Sequence, residues 1–497
     1  MGLGVLTLED LIKALAVAQG QLPEQWSPGP LSQVEIRSAV IDPRLASPGC
    51  LFIALRGERQ DGHDFVGPAI GQGAVAVITE RRPPLPCTVL TTTDWGSAIA
   101  DWRPGSPLCL VVPDSLVALQ QVAAYWRRQH TVRVIGITGS IGKTTSKEVI
   151  AAVLRQRYRT LKSEGNYNNE IGLPLTLLAL TTSHERVVLE MGMYDLGEIA
   201  QLAKIALPQV GVVTNVGPSH LERLGTIERI AEAKAELPQA LPPAEAGGMA
   251  ILNADDPWVR AMASQTQART FTYGLSPQAD LWANNIQSEG LEGLRFRFHY
   301  GQETVYARVP MLGRHSVHTA LRAAAVGLVE GLSWQEIIAG LRDQSAQLRL
   351  VAVPGPAGST ILDDTYNASP ASCVAALNLL EELARQEGGG RKIAVLGDMY
   401  ELGDYAEEGH KLVGRRARDA ADLLIAVGHL GCIIGQEALE VGMPAGSVYL
   451  VETNAQAIDL LRTLVTPSPT GDKILIKGSR GMAMEEIVTA LQQGEVS

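Results

Sequence analysis

An apolar run, VRVIGIT over residues 132–138, leads directly into a glycine-rich loop and then into a helical pattern. Few features constrain a chain more tightly, because strand, loop and helix must then form one βα unit of a parallel sheet. The loop, GITGSIGKTT from Gly136 to Thr145, is built of small residues around one lysine. Amides from Gly139, Ser140 and Gly142 can close around a polyphosphate, and the helix N-terminus adds partial positive charge. Lys143 is placed to reach the β- and γ-phosphates, and the hydroxyl of Thr144 or Thr145 to bind Mg²⁺. The string departs from the common GxxxxGK pattern, with Ile137 where the first glycine usually stands. A glycine-rich helix cap is the alternative reading, but strand, loop and helix together point to ATP.

Around this unit, strands and helices alternate. In the middle of the chain, SLVALQQVAAYWRRQ (115–129) reads as a helix, and VVLEMGM (187–193), VGVVTNVG (210–217) and MAILNADD (249–256) read as β-rich runs. Shorter runs, LFIAL (51–55) and AVAVIT (74–79), precede this block. STILDD, KIAVLGD, DLLIAVG and KILIKGS follow it, between residues 359 and 479. The pattern predicts an α/β protein of three domains: a small N-terminal α/β domain over 1–107, a central P-loop domain with a mainly parallel sheet over 108–346, and a C-terminal Rossmann-like domain over 347–497.

A formal charge of −11 argues against a nucleic-acid partner, which needs a basic face, but not against a nucleotide held by local amides and a few cations. The five cysteines are scattered and form no CxxC pair, which favours a reducing compartment over a disulfide framework. The N-terminus lacks the basic start and apolar run of a signal peptide, and no stretch of about 20 apolar residues exists. The expectation is a cytoplasmic protein without membrane insertion.

In open α/β sheets, ligands gather beyond the carboxyl ends of the strands. Glu190 lies at such an end, inside VVLEMGM, where a carboxylate is costly unless paired or bound to metal. His220 follows the strand that ends near Asn215. Carboxylate and imidazole suit Mg²⁺ or Mn²⁺. Taken alone, Glu190 has a lesser alternative as the partner of a buried cation, His220 reads equally as a helix-capping or surface histidine, and Lys234, in IAEAKAEL, reads first as a solvated lysine.

Together with further strings these residues resemble the Mur ligase family, the ATP-dependent amide-forming enzymes of peptidoglycan assembly. The strings are DPRLASPGCLFIALRGERQDGHDF (42–65), GITGSIGKTTSKE (136–148), GNYNNEIGLPLTLL (165–178), EMGM (190–193), TNVGPSHLERLGT (214–226), ILNADD (251–256), DDTYNASPAS (363–372), AVLGDMYELG (394–403) and KGSRGMAME (477–485). The likeness covers nearly the whole chain. It implies transfer of D-alanyl-D-alanine to UDP-N-acetylmuramoyl-tripeptide through an acyl phosphate, with ATP and Mg²⁺ (or Mn²⁺), by a monomer.

By the same resemblance, Lys143 and the loop amides hold phosphate, and Thr144, Glu190 and His220 hold the metal. Lys234 matches a lysine that is carbamylated in some members. Arg349, Asp363 and Asp364 meet ATP, and Tyr366, Asn367 and Ser369 lie near the incoming dipeptide. Arg44 approaches the uridine diphosphate, and Asn166, Asn168 and Asn169 the muramoyl-peptide. The family's GRHNxxNA segment appears as GRHSVHTA (313–320), with Ser316 and Thr319 at the two asparagine positions. A sister Mur ligase, or a folylpolyglutamate-synthase-like ligase, with another amine acceptor shares the loop but is not expected to carry DDTYNASP. A P-loop motor ATPase would need an acid pair where VVLEMGM offers one glutamate. A non-catalytic relative would not need Lys143, Glu190 and His220 intact.

Overall fold

The computed structural model describes residues 5–20, 29–57, 60–91, 102–343, 350–386 and 389–493. Three sheets follow one another along the chain. The first has five parallel strands in the spatial order Ser38–Val40, Cys50–Ile53, Ala76–Thr79, Leu108–Val111, Thr88–Thr91. Leu108–Val111 inserts between two earlier strands, so this sheet runs past the break expected at residue 107. That insertion is a long-range pairing with no local signature in the sequence.

The second sheet has nine strands. Its functional centre, seventh in spatial order, is Arg133–Thr138, flanked by Val210–Val213 on one side and Arg186–Glu190 on the other, all parallel. The chain leaves the central strand toward one side and later returns to build the other, which makes a topological switch point where the phosphate loop emerges. The far edge is an antiparallel meander, Leu281–Ser288, Leu294–Tyr300 and Glu303–Val309. The third sheet has six strands, with Thr360–Asp363, Lys473–Lys477, Lys392–Leu396 and Leu423–Val427 adjacent and parallel.

The central strand is buried from Val134 to Thr138 because helices cover both faces. Helix Lys143–Leu154 buries Val149, Ile150, Val153 and Leu154 among residues of Val317–Val329 and Trp334–Leu341. At the amino ends of the strands the sheet is clamped electrostatically. The Glu330 side chain is 1% exposed and accepts from Arg133 and Arg186, each at 2.6 Å. Those arginines begin adjacent strands, so one carboxylate fixes both starts. Among the described residues, no helix is long and apolar enough to cross a membrane.

Glu330→Ala leaves two partly buried guanidinium groups without their shared partner. It should cost the central domain about 3 kcal/mol of stability, visible as a lowered midpoint for its thermal transition. An unchanged midpoint would show that the clamp is decorative.

Candidate active site

The carboxyl ends of the second and third sheets face each other across a cavity of about 910 Å³. On the near wall, backbone geometry shapes the phosphate loop. Gly142 has φ +81° and precedes the first residue of helix Lys143–Leu154, while Gly139 has φ +142°. A Cβ at Gly139 would stand 1.9 Å from the Thr214 hydroxyl oxygen, so only glycine fits. The loop is pinned to the next strand end: Ser140 N–H donates to the Asn215 carbonyl at 3.0 Å and Ile141 N–H to the Asn215 side chain at 2.9 Å. The Lys143 ammonium donates to the Gly139 carbonyl at 2.8 Å.

Glu190 ends its strand 2% exposed. The Thr144 hydroxyl donates to one of its oxygens at 2.7 Å, and the Asn168 amide to the other at 2.9 Å. The carboxylate is thus satisfied by polar groups rather than by a buried cation. His220 sits in the left-handed region, φ +57°, and its Nδ1 lies 2.8 Å from a Glu401 oxygen on the third domain. The Tyr194 ring stands edge-on to the imidazole. The His220 hydrogen bond is the main cause holding the Glu401 carboxyl below its usual 4.5.

Lys234 is not the solvated lysine its sequence position suggests. It is 1% exposed, on helix Ile227–Gln239. Burial first, and the Lys143 ammonium second, push its amine well below the ordinary value. Asn166, Asn168 and Asn169 line the cavity. Asn169 also accepts from Gly172 N–H at 2.9 Å, capping the following helix.

From the third domain, Asp364, Tyr366, Asn367 and Ser369 line the same cavity. Asp364 accepts from the buried Lys477 ammonium at 2.6 Å, across adjacent strand ends. Tyr366 lies under the Arg480 guanidinium, 5.1 Å from its ring centroid. Asp363 instead turns to the Thr365 hydroxyl, 2.7 Å away, and is not among the lining residues. Arg44 is bonded to Asp42 on the first domain, its side chain 87% exposed, outside the cavity. Arg349 falls outside the described residues. Ser316 and Thr319 line the cavity, but their hydroxyls have local partners: Ser316 donates to the Leu312 carbonyl, just before the helix, and Thr319 accepts from Arg322 one turn on.

Among the charged and imidazole side chains of the cavity, Lys477, Glu401, His315 and Arg322 stand out as absent from the sequence-derived set. Lys477 carried the same signal as Glu190, a charge closing an apolar strand. Arg322 stands in the apolar helix ALRAAAVGLV, which marks it equally. Among the described residues, no three His, Cys, Asp or Glu side chains converge as a metal cluster. A divalent ion would therefore rely on few protein donors. The Thr144 hydroxyl and Glu190 carboxylate, already in contact, are hard oxygens that fit Mg²⁺, with the His220 imidazole in the same cavity.

Residues 35–98, 137–327 and 348–480 match, in turn, the family profiles described as Mur ligase family, catalytic domain; Mur ligase middle domain; and Mur ligase, glutamate ligase domain. The chain belongs to the Mur ligase family. Within it, the chain is 38% identical to the UDP-N-acetylmuramoyl-tripeptide–D-alanyl-D-alanine ligase of Bacillus subtilis, over 94% of this chain and 95% of that one. Its fold is similar to a crystal structure of MurF from Acinetobacter baumannii, with TM-score 0.80, 31% identity and coverage of 99% and 100% of the two chains. It is also similar to MurF from Thermotoga maritima in complex with ADP, with TM-score 0.74, 26% identity and coverage of 92% and 97%.

The His220–Glu401 bond joins two domains, so Glu401→Ala should loosen their apposition in the ligand-free protein. Solution scattering should then give a larger radius of gyration than wild type. Because the folded Glu401 value is depressed, the bond contributes fully above about pH 4.5 and is lost as pH falls through the depressed value. Identical scattering from variant and wild type at neutral pH would remove the bond from any role in holding the domains.

Proposed function

We propose that this chain is an ATP-dependent, ADP-forming ligase that adds D-alanyl-D-alanine to UDP-N-acetylmuramoyl-tripeptide in the cytoplasm, as a monomer. The observation that carries the reading is the single cavity in which a phosphate loop, a Glu190–Thr144–Asn168 cluster and the Asp364–Lys477 pair of another domain face one another. Relatives named for this reaction match over nearly the entire chain.

ATP binds with its terminal phosphates on the amides of Gly139 to Thr144. Lys143 exchanges its carbonyl bonds in the loop for phosphate oxygens, and Thr145 adds a hydroxyl. Asp364 and Arg349 of the third domain meet the nucleotide, with Asp363 supporting the same strand end. The uridine diphosphate lies near Arg44, while Asn166, Asn168 and Asn169 orient the muramoyl-peptide. Its terminal carboxylate oxygen attacks the γ-phosphorus, the bond to ADP breaks, and an acyl phosphate forms. The dipeptide amine, placed by Tyr366, Asn367 and Ser369, attacks the acyl carbon. The amine loses a proton, phosphate departs and the amide remains. Orientation and charge neutralisation carry most of the acceleration in such transfers. Mg²⁺ (or Mn²⁺), held by Thr144, Glu190 and His220, supplies neutralisation of phosphate charge when bound.

Lys234 deepens this picture. Burial disfavours the ammonium form of Lys234, and the free amine is the form that reacts with carbon dioxide; the resulting carbamate would place an anion near Lys143. We assign Lys234 as a carbamylated residue. Incubation with ¹³C-bicarbonate should give a carbamate carbon signal in wild type that Lys234→Ala lacks. Spectra without that signal in wild type would leave the lysine unmodified.

Lys143→Ala should lower phosphate release by at least about a hundredfold while leaving the thermal transition in place. In wild type, release should require both UDP-N-acetylmuramoyl-tripeptide and D-alanyl-D-alanine. Full-rate hydrolysis of ATP without either substrate would overturn the ligase reading.

A further inference from the structure

Arg322 lines the cavity and is used by neither the sequence motifs nor the mechanism above. It belongs to helix Val317–Val329 and is 5% exposed. Its Nε donates to the His318 carbonyl at 3.1 Å and its Nη2 to the Thr319 hydroxyl at 3.1 Å, both on its own helix. Its Nη1 is buried and has no hydrogen-bond partner among the described residues. Its guanidinium carbon lies over the Tyr273 ring, 6.0 Å from the centroid. Burial works against its charge, yet a guanidinium keeps its proton in proteins.

A buried cation with a spare donor is costly unless something anionic completes it. Its location says what that something is. Arg322 lines the large cavity, and its Nη1 stands 3.5 Å from where a Cβ on Gly142 would be, beside the last residue of the phosphate loop. The glycine at 142 leaves that approach open.

Resting on the nucleotide reading above, we propose that Arg322 is a second cationic contact to the polyphosphate of the nucleotide, its Nη1 donating to a phosphate oxygen held by the loop. Arg322 thereby complements Lys143 from a separate helix. The donated bond is charge-assisted on both sides, which makes it one of the stronger contacts a nucleotide can gain. It also gives Thr319 a purpose: its hydroxyl orients the fork that aims Nη1 at the loop.

Calorimetric titration of the full chain with ADP and, separately, with adenosine tests this in wild type, Arg322→Met and Arg322→Lys. The expected result is ADP affinity reduced about ten- to a hundredfold in Arg322→Met, with a smaller loss in Arg322→Lys. Adenosine affinity should stay within about threefold of wild type, which a damaged pocket would not allow. Equal losses for ADP and adenosine, or ADP binding as tight in Arg322→Met as in wild type, would overturn the contact while leaving the nucleotide reading intact. Wild type that fails to bind ADP would sink both.

Discussion

The Glu190 carboxylate, buried at the carboxyl end of its strand on the cavity wall, is the constraint around which the site is arranged. A charge placed there must be answered by donors, and the two that answer come from different segments. Thr144 belongs to the phosphate-loop helix and Asn168 to the stretch before the next helix. One carboxylate therefore sets the loop that receives a polyphosphate relative to the segment proposed to receive a peptide. In the proposed reading, the spacing of the two reacting substrates is set through a carboxylate that is itself 2% exposed.

The scaffold divides rigidity and access between the two ends of its strands. At the amino ends, Glu330 binds two strand starts together with short ion pairs. At the carboxyl ends the strands open into loops, and a second sheet presents its own carboxyl ends to them. Each half is incomplete alone: the central domain offers phosphate amides and Glu190, the third offers Asp364, Lys477 and Glu401. Catalysis by such a site demands that both halves be brought together.

Much of this was legible in the sequence. The phosphate loop announced itself because strand, glycines and lysine stand in an order with one structural solution. Glu190 was visible as a charge in an apolar run. Lys234 was misread when considered alone, although Ile230, Ala233, Lys234 and Leu237 follow the spacing of a buried helical stripe and are all buried. Lys477 and Arg322 carry the same legible signal, a cation inside an apolar element, which is as costly to bury as a carboxylate. Strand Leu108–Val111 lay beyond reach because its partners are chosen across the sheet, not along the chain. Pairings between domains, such as His220 with Glu401, leave no periodic trace at all.

That last pairing has a thermodynamic corollary. The imidazole has two ring nitrogens, and the Nδ1 that faces Glu401 leaves Nε2 to serve a ligand in the cavity. A carboxylate on one nitrogen orients the ring and raises the basicity of the other, so under the proposed ligand role the inter-domain bond and a ligand on Nε2 would strengthen each other, by the same amount in both directions. Such a histidine would report to each domain whether the other's chemistry is in place.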